Sequence, residues 1–355
     1  MPPDPGPPAP PVPLLAPRFL ARLARPEIRT VLLAGCGGGF DFVHGMLLVP
    51  ELVRLGKRLV IGSYSFGDPR EIRGDAPVIF DDDGVIARRI TPASIADPEY
   101  GPEVHVASFL AARLPAASAP VVYAYYARDF TVPRLTALYA QLVRMHAIDA
   151  VIVVDGGSDS LMRGDEEGLG DPIEDCVSVT TVAALPGVEK LLLTVGLGAD
   201  RYNHVSDAAS LRAVAELTAA GGFLGAVALA PEDESFRFYR DCLDHIEARQ
   251  TFRSVLAGAI VTAGEGHHGR ERVPPRLRER VRPGELFLWP LMPVLWGFDP
   301  VRVVERSLMA GWLRDEPTVR GCHAAIARGR AALGDRLRPV EDLPRHHELR
   351  GPGRR

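Results

Sequence analysis

The chain has 355 residues, of which 46% are hydrophobic and 24% are charged, and its formal net charge at pH 7 is −4. This composition is typical of a globular protein with a substantial core and excludes general disorder. The acidic balance argues against a nucleic-acid binder held by phosphate contacts, and no apolar run reaches the roughly 18 residues that a membrane-spanning helix needs.

The N-terminal segment, residues 1–13, contains eight prolines and no apolar stretch of the signal-peptide type. We therefore expect a cytoplasmic protein that binds neither a membrane nor nucleic acid. The four cysteines lie far apart without a CxxC pair, which disfavours a zinc finger or a disulfide framework. The sequence contains no GxxxxGKS/T motif, which excludes a P-loop nucleotide site.

Composition divides the chain into a folded region with two tails. Residues 1–26 are predicted to be a disordered, proline-rich tail that leads into a short helix, and residues 336–355 a loose, arginine-rich tail. Residues 27–335 are predicted to form a single α/β domain, in which 232–335 are mainly helical in pattern. Whether that last third forms a helical sub-lobe of its own is open from the sequence.

Short, continuously apolar runs alternate with segments of helical periodicity along the domain. Strands are predicted at 30–34, 58–62, 121–125, 150–154, 190–195 and, late in the chain, 285–289. Helices are predicted at 41–55, 131–145, 171–184, 206–219, 232–263, 299–313 and 318–333. Continuously apolar strands suit a parallel sheet that is covered on both faces. The predicted fold is a doubly wound, mostly parallel, Rossmann-like α/β sheet with helices on both faces and a helical C-terminal region.

The first candidate site is the glycine loop after the first strand, which contains Gly35, Gly37, Gly38 and Gly39 and ends at Asp41. Glycines let the backbone approach a ligand, and a helix start favours an anion, so the loop predicts contact with a phosphorylated or nucleotide-like ligand. A dinucleotide fingerprint would need a third glycine where position 40 is Phe. The acid that this site and an S-adenosylmethionine site need after the second strand is also missing. The alternative is a turn in which the glycines serve packing alone and Asp41 caps the helix.

The second candidate site is the acidic loop after the strand at 150–154. It leaves a buried strand at the edge where α/β enzymes bind ligands. Crowded carboxylates need a divalent metal, an arginine or a cationic substrate to offset their repulsion, and Mg²⁺ prefers oxygen ligands. The candidate residues are Asp155, Gly156, Gly157, Asp159, Ser160, Arg163, Asp165 and Glu166. An acidic surface turn before the next helix is the alternative.

A third polar loop follows the fifth predicted strand and contains Asp200, Asn203 and His204. These side chains can face the same crevice as the acidic loop if both loops leave the same edge of the sheet. His204 is the best-placed general acid or base because an imidazole titrates near neutral pH. The alternative is a histidine that is merely exposed to solvent.

Three stretches together resemble one family: VLLAGCGGGFD at 31–41, VVDGGSDSLMRGDEEGLGDPIEDC at 153–176 and LFLWPLMP at 286–293. They are similar to a bacterial and archaeal family known only as domain of unknown function 1152, over roughly residues 28–315. The resemblance implies a Rossmann-like core and draws attention to the two loops, but it implies no particular reaction. Residues 156–160 also resemble the end of the SGGxDS loop of adenylating ATP pyrophosphatases, although Asp155 replaces its serine.

The leading hypothesis is a cytoplasmic enzyme that binds a phosphorylated or nucleotide-like small molecule and performs metal-assisted group transfer or hydrolysis. Mg²⁺ would be held by Asp155, Asp165 and Glu166, and catalysis would involve Asp159, Arg163 and His204. The ligand would contact the glycine loop, Asp41, Gly156, Gly157, Ser160 and Asn203. The alternatives are a non-catalytic nucleotide sensor and an S-adenosylmethionine-dependent methyltransferase, and assembly into a homo-oligomer is left open.

Overall fold

The computed structural model describes residues 15–68, 71–270, 273, 275–340 and 343. Its strands are β1 (Thr30–Gly35), β2 (Arg58–Ser65), β3 (Arg73–Gly74), β4 (Val78–Asp82), β5 (Val85–Ile90), β6 (Ser94–Ile95), β7 (Val121–Tyr126), β8 (Ala150–Asp155), β9 (Glu189–Thr194), β10 (Phe223–Ala228) and β11 (Val294–Phe298). Its α-helices are α1 (Arg18–Leu23), α2 (Asp41–His44), α3 (Val49–Arg54), α4 (Pro102–Arg113), α5 (Val132–His146), α6 (Pro172–Ala184), α7 (Asp207–Ala219), α8 (Glu234–Glu247), α9 (Val255–Gly264), α10 (Pro300–Arg306), α11 (Leu308–Leu313) and α12 (Val319–Leu333). Much of both predicted tails, residues 1–14 and 344–355, lies outside the described residues.

Nine strands form one mixed sheet in the order β10-β11-β9-β8-β1-β2-β7-β5-β4. The five strands from β9 to β7 are parallel, and antiparallel pairs extend the sheet on both sides. The chain fills the parallel part from β1 through β2 to β7, and then returns to the other side of β1 with β8 and β9. The strand order therefore reverses between β1 and β8, which is where sheets of this kind bind ligands.

The central strands are apolar along their whole length because helices cover both faces of the sheet. In β1, Val31 and Leu33 belong to one hydrophobic core, whereas Leu32 and Ala34 belong to the other. Helices α2, α3, α4 and α8 pack on the first core, and α5, α6, α10, α11 and α12 on the second. Each fully buried aliphatic side chain contributes roughly 1.5–3 kcal/mol. The loops that leave β1 and β8 therefore start from a well-packed support.

The predicted fold class is confirmed: this is an α/β protein with a mostly parallel, Rossmann-like sheet and helices around it. The five predicted central strands are all present, although β2 continues to Ser65. The helix predicted at 41–55 is interrupted by a short 3₁₀ turn between α2 and α3. The β4-β5 hairpin, α4 and β10 were not predicted.

The strand predicted at 285–289 is wrong. These residues form a loop, in which Leu286 and Leu288 pack into a small third core against α9. Leu288 forms one isolated bridge, to Gly269. The late strand is β11, which inserts between β9 and β10. The last third of the chain therefore contributes a strand to the main sheet.

Both predicted tails contain anchored residues. Within residues 1–26, the short helix predicted after the proline-rich stretch is present as α1, and it buries Phe19 and Leu23 in the first core. Within the segment predicted to be loose, Arg338 forms a backbone bridge with Glu166 of the acidic loop. In the part of the chain that the structure describes, no helix has the length and apolar character needed to cross a lipid bilayer.

Candidate functional site

The loops after β1 and β8 meet where the strand order reverses, and they open into a shared cavity of about 230 Å³. We call it the carboxylate cavity. Gly37, Gly38 and Gly39 line it from the first loop, and Gly156 lines it from the second. The carboxylates in its wall are Asp41, Asp155, Asp159, Asp171, Glu174, Asp175 and Asp200. Two loops separated by more than a hundred residues thus form one acidic pocket.

Three of these carboxylates converge on one point. One oxygen each of Asp41, Asp155 and Asp175 lies within 4.8 Å of the other two. Asp41 is held by two backbone N–H groups, since Gly37 donates to its Oδ2 at 2.7 Å and Gly156 donates to its Oδ1 at 3.2 Å. Oδ1 of Asp175 is buried and has no hydrogen-bond partner among the described residues. A buried carboxylate oxygen without a donor is destabilising, so this point favours a cation.

The neighbouring carboxylates are oriented by the acidic loop itself. Asp159 Oδ2 accepts a backbone N–H bond from the N-cap residue of α6 at 3.0 Å. The backbone N–H of Ser158 donates to Asp200, and the hydroxyl of Ser160 donates to Asp155. Hydrogen bonds from the acidic loop therefore fix the orientation of Asp155, Asp159 and Asp200 in the wall of the cavity.

Burial and mutual repulsion make these carboxyl groups weak acids. Burial raises the pKa of Asp41 to about 7, although its two backbone hydrogen bonds act in the opposite direction. Burial, followed by the charges of other carboxylates, raises the pKa values of Asp155, Asp159 and Asp175 well above the usual range. The pKa of Asp200 is raised well above its usual range for the same reasons. A cation in the cavity would offset this repulsion.

The glycines around the cavity make room for carboxylates. A Cβ atom at Gly37 would lie 2.5 Å from Oδ2 of Asp175, and one at Gly157 would overlap the carboxylate of Asp200. Gly35 has a different role, because a Cβ atom there would lie 2.8 Å from a backbone nitrogen of α2. Side chains at these three positions would force the acidic groups or the adjoining helix apart.

The backbone N–H groups of the glycine loop are largely used within the protein. Cys36 donates at 2.8 Å to a carbonyl of β8, and Gly39 donates at 2.9 Å to a carbonyl of β2. Gly37 donates to Asp41, as described above. The sequence had predicted that this loop cradles an anion, but these three N–H groups already have acceptors. An anion placed among the carboxylates would need a cation beside it.

The model of the family described as protein of unknown function (DUF1152) matches residues 123–329, which is more than half of the chain. The chain belongs to the DUF1152 family. No curated protein and no solved structure matches it significantly. The matched region runs from within β7 to within α12 and includes the whole acidic loop. The glycine loop, which the sequence had included in the resemblance, lies before the DUF1152 match.

Three residues of the acidic loop that were predicted to act in the site lie elsewhere in this DUF1152 protein. Asp165 and Glu166, predicted as metal ligands, are bound by arginines and do not line the carboxylate cavity. Arg163 contacts Asp165 at 2.8 Å, and Arg338 contacts Glu166 at 2.8 Å and Asp165 as well. Because these groups neutralise one another, neither the metal role of the two acids nor the catalytic role of Arg163 is supported.

The third polar loop is divided between two cavities. Asn203 lines the carboxylate cavity, in line with its predicted contact with a ligand. His204 lines a different cavity of about 630 Å³, and its backbone is left-handed, with a φ of 66°. The geometry therefore does not support His204 as the general acid or base of the carboxylate cavity. Ser160, predicted to contact the ligand, instead supports Asp155.

Asp175 is the main residue that sequence reasoning left without a role. It lies in the first turn of α6, four residues after the N-cap Asp171. The Asp-Pro start of this helix was recognisable, and residues four apart lie on the same helix face. That spacing was the available signal, since a helix that starts at the acidic loop directs its first turn towards the same edge of the sheet.

His44, the last residue of α2, also lines the carboxylate cavity. Its Nδ1 is hydrogen-bonded to the hydroxyl of Tyr239 at 2.8 Å, and both rings are buried. Burial lowers the pKa of His44 to about 3, so the imidazole is neutral near pH 7. A neutral imidazole beside several carboxylates adds a hydrogen-bonding group to the wall without adding a positive charge.

Proposed function

We propose that this protein is a cytoplasmic enzyme that uses a divalent cation, Mg²⁺ or Mn²⁺, to transfer or hydrolyse a group on a phosphorylated or nucleotide-like small molecule. The observation that carries the proposal is the convergence of Asp41, Asp155 and Asp175, in which one oxygen of Asp175 lacks a donor. An all-oxygen set of ligands suits these hard cations. The four cysteines are free and buried, which fits a reducing compartment.

The surrounding residues suggest how the chain would divide the work. Asp41, Asp155 and Asp175 would hold the cation, which would offset phosphate charge and polarise the reacting bond. Asp159 lines the same cavity, and its raised pKa suits a group that accepts a proton from an attacking water or hydroxyl. His44 would supply a neutral hydrogen-bonding group whose orientation is fixed by Tyr239.

The geometry favours this proposal over the two alternatives from the sequence. A sensor that used the glycine loop alone would not need an acidic loop at the same cavity, and here the two loops share one wall. A methyltransferase would need an acid after β2 to hold the ribose of S-adenosylmethionine. The nearest acid there, Asp68, is engaged by Arg128 at 2.9 Å. Neither alternative accounts for the three converging carboxylates.

Metal binding tests the first part of the proposal. Protein freed of metal with EDTA would be titrated with Mn²⁺ in a calorimeter, and we expect one saturable site. Asp175→Asn should weaken Mn²⁺ binding by more than about 10-fold, which is the lower end of what loss of a supporting residue costs a metal site. The matched control is Asp83→Asn, at an exposed turn between β4 and β5. Equal affinities of the two variants, or no Mn²⁺ binding by the native chain, would contradict the proposal.

Turnover tests the second part. We expect release of phosphate, or transfer of a phosphorylated group, from at least one member of a panel of nucleotides and sugar phosphates when Mg²⁺ or Mn²⁺ is present. Asp159→Asn should abolish this activity and leave the melting temperature nearly unchanged, because an asparagine oxygen can still accept the bond from α6. A large loss of stability in that variant would indicate a structural role for Asp159.

A further inference from the structure

Three aromatic side chains are partly exposed at the edge of the carboxylate cavity. Phe66 is 57% exposed, Tyr202 is 41% exposed and Phe252 is 38% exposed, and all three line the cavity. Large aromatic side chains left in water beside a polar cavity are a common mark of ligand contact. We call this group the aromatic mouth. The wall behind it is built largely from carboxylates and glycines, so the two parts of the cavity suit different parts of a ligand.

Phe66 lies across the glycine loop. A Cβ atom at Gly38 would overlap one edge of the Phe66 ring, and a Cβ atom at Gly39 would lie 2.8 Å from the opposite edge. The ring therefore rests on the backbone of both glycines, which explains why these two positions lack side chains. With more than half of its surface exposed, a ring supported in this way is a platform on which another planar group can stack.

Phe252 packs against two other aromatic rings. Its ring lies 5.4 Å from that of Tyr100 in an edge-on arrangement and 5.9 Å from that of Phe40. The guanidinium group of Arg280 lies over the same ring, 4.5 Å from its centroid, and also lines the cavity. A fixed aromatic ring and a cation therefore occur together at the open side of the carboxylate cavity.

A second cavity adjoins the carboxylate cavity at Phe66. Phe66, Asp171 and Glu174 line both the carboxylate cavity and a second cavity of about 530 Å³. The two cavities therefore lie next to each other and share these three side chains as part of their walls.

We propose that the aromatic mouth binds the planar base of a nucleotide, with Phe66 as the stacking platform. The inference rests on the proposed function, because the phosphate end of that nucleotide would reach the cation held by Asp41, Asp155 and Asp175. Arg280, which lines the same cavity, would attract the anionic part of the ligand. The proposed ligand is then a nucleotide and not any phosphorylated molecule, and stacking of its base contributes to its affinity.

Charge decides between a nucleotide base and an organic cation. Aromatic rings next to carboxylates also suit an organic amine. A positive guanidinium already occupies the face of Phe252, however, and would repel a second cation at the mouth. A neutral base stacks on both phenylalanine and arginine, and the attached phosphate is attracted by Arg280. The mouth therefore fits a neutral ring that carries an anionic group.

The test compares ligands that differ only in the ring. AMP, GMP, CMP, UMP and ribose 5-phosphate would be titrated into the full chain in the presence of saturating Mn²⁺. We expect at least one of the nucleotides to bind roughly 10-fold or more tightly than ribose 5-phosphate, as stacking on an aromatic side chain provides. Phe66→Leu should remove most of that difference, and Phe66→Tyr should retain it. Both changes are at a largely exposed side chain, and a thermal melt would verify that the variants fold.

The outcomes separate this inference from the proposed function. If ribose 5-phosphate binds as tightly as every nucleotide, or if none of the five ligands binds although Mn²⁺ does, the inference fails and the metal site stands. Tight binding of tryptamine without Mn²⁺ would assign the mouth to an organic cation and also overturn the inference. Absence of Mn²⁺ binding would instead overturn the proposed function.

Discussion

The acidic loop contains two groups of carboxylates with similar sequence and opposite surroundings. Asp155, Asp159 and Asp175 face the carboxylate cavity, and the main charges that act on them are those of other carboxylates. Asp165 and Glu166, only a few residues away, are bound by arginines. In the first group Asp175 keeps a buried oxygen without a hydrogen-bond donor, whereas the second group is neutralised.

Most of the arginines that neutralise the second group come from the last part of the described chain. Arg338 contacts both Asp165 and Glu166, Arg306 lies 3.8 Å from Glu166, and Arg330 donates at 2.6 Å to the carbonyl of Glu166. These arginines from α10, α12 and the segment after them all bind the outer side of the loop. The inner side receives none of them. The number of carboxylates in the loop therefore does not locate the site. The site is located by the carboxylates that these arginines do not contact.

The largest expected effect on stability comes from removing Arg338, whose guanidinium group neutralises Asp165 and Glu166. Arg338→Ala leaves Asp165 and Glu166 buried with one arginine fewer, and breaking such a pair on one side is strongly destabilising. We expect the free energy of unfolding to fall by about 2–4 kcal/mol, less than for a fully enclosed pair because Arg338 is partly exposed. Urea denaturation would measure the change.

Arg336→Ala is the matched control for that variant. Arg336 is exposed, and its side chain donates to two carbonyls at the end of α12, those of Leu333 and Ala332. We expect its removal to change the free energy of unfolding by less than about 0.5 kcal/mol. Equal losses in the two variants would mean that the ion pairs of Arg338 contribute nothing specific to the acidic loop.

Much of the fold, and the edge of the sheet at which the cavity lies, could be predicted from the sequence. The central strands were predictable because burial on both faces leaves only apolar residues, as in Val31 to Ala34 of β1. From parallel strands it follows that the loops after β1 and β8 leave the same edge of the sheet, so both parts of the cavity could be anticipated. The strand at 285–289 was mispredicted because a short apolar run fits either a strand or, as here, a loop packed on α9.

The roles of the individual acids could not be predicted in the same way. Asp165 pairs with Arg163, two residues away, and also with Arg338, 173 residues away in the chain, and no local pattern links Asp165 to Arg338. His204 looked suitable because of its residue type, but a left-handed turn places it in another cavity. Both cases concern side-chain surroundings produced by tertiary packing, which a pattern of residue types does not contain.

Without a metal, stability should depend on pH through the inner carboxylates, which are those that line the carboxylate cavity. In metal-free protein, the pKa of Asp41 is about 7 and that of Glu174 is about 7, both raised above their unfolded values. The folded state therefore binds more protons than the unfolded state, so stability is highest at low pH and is lost as pH rises through about 7. Each group would contribute a slope of up to about 1.4 kcal/mol per pH unit.

Urea denaturation in EDTA between about pH 5.5 and about pH 7.5 would measure this slope. This pH interval lies within the range in which carboxyl groups with such raised pKa values titrate. Saturating Mn²⁺ should reduce or reverse it, because a bound cation favours the ionised ligands. If stability in EDTA instead rose with pH over this range, the inner carboxylates would be compensated by a group other than a metal, and the contrast between the two sides of the loop would disappear.

The smallest effect is also the sharpest test. Replacing an aspartate with asparagine should raise the free energy of unfolding on the inner side of the loop and lower it on the outer side. Near neutral pH and without metal, Asp175→Asn removes a carboxyl group whose ionisation is opposed by burial and by neighbouring acids, and should stabilise the fold by about 0.5–1 kcal/mol. Asp165→Asn removes a partner of Arg163 and Arg338 and should destabilise it by about 1–2 kcal/mol. Asp83→Asn, at the exposed turn, should change little. Effects of the same sign at positions 165 and 175 would show that both acids serve the fold alone, and that the cavity holds no position reserved for a cation.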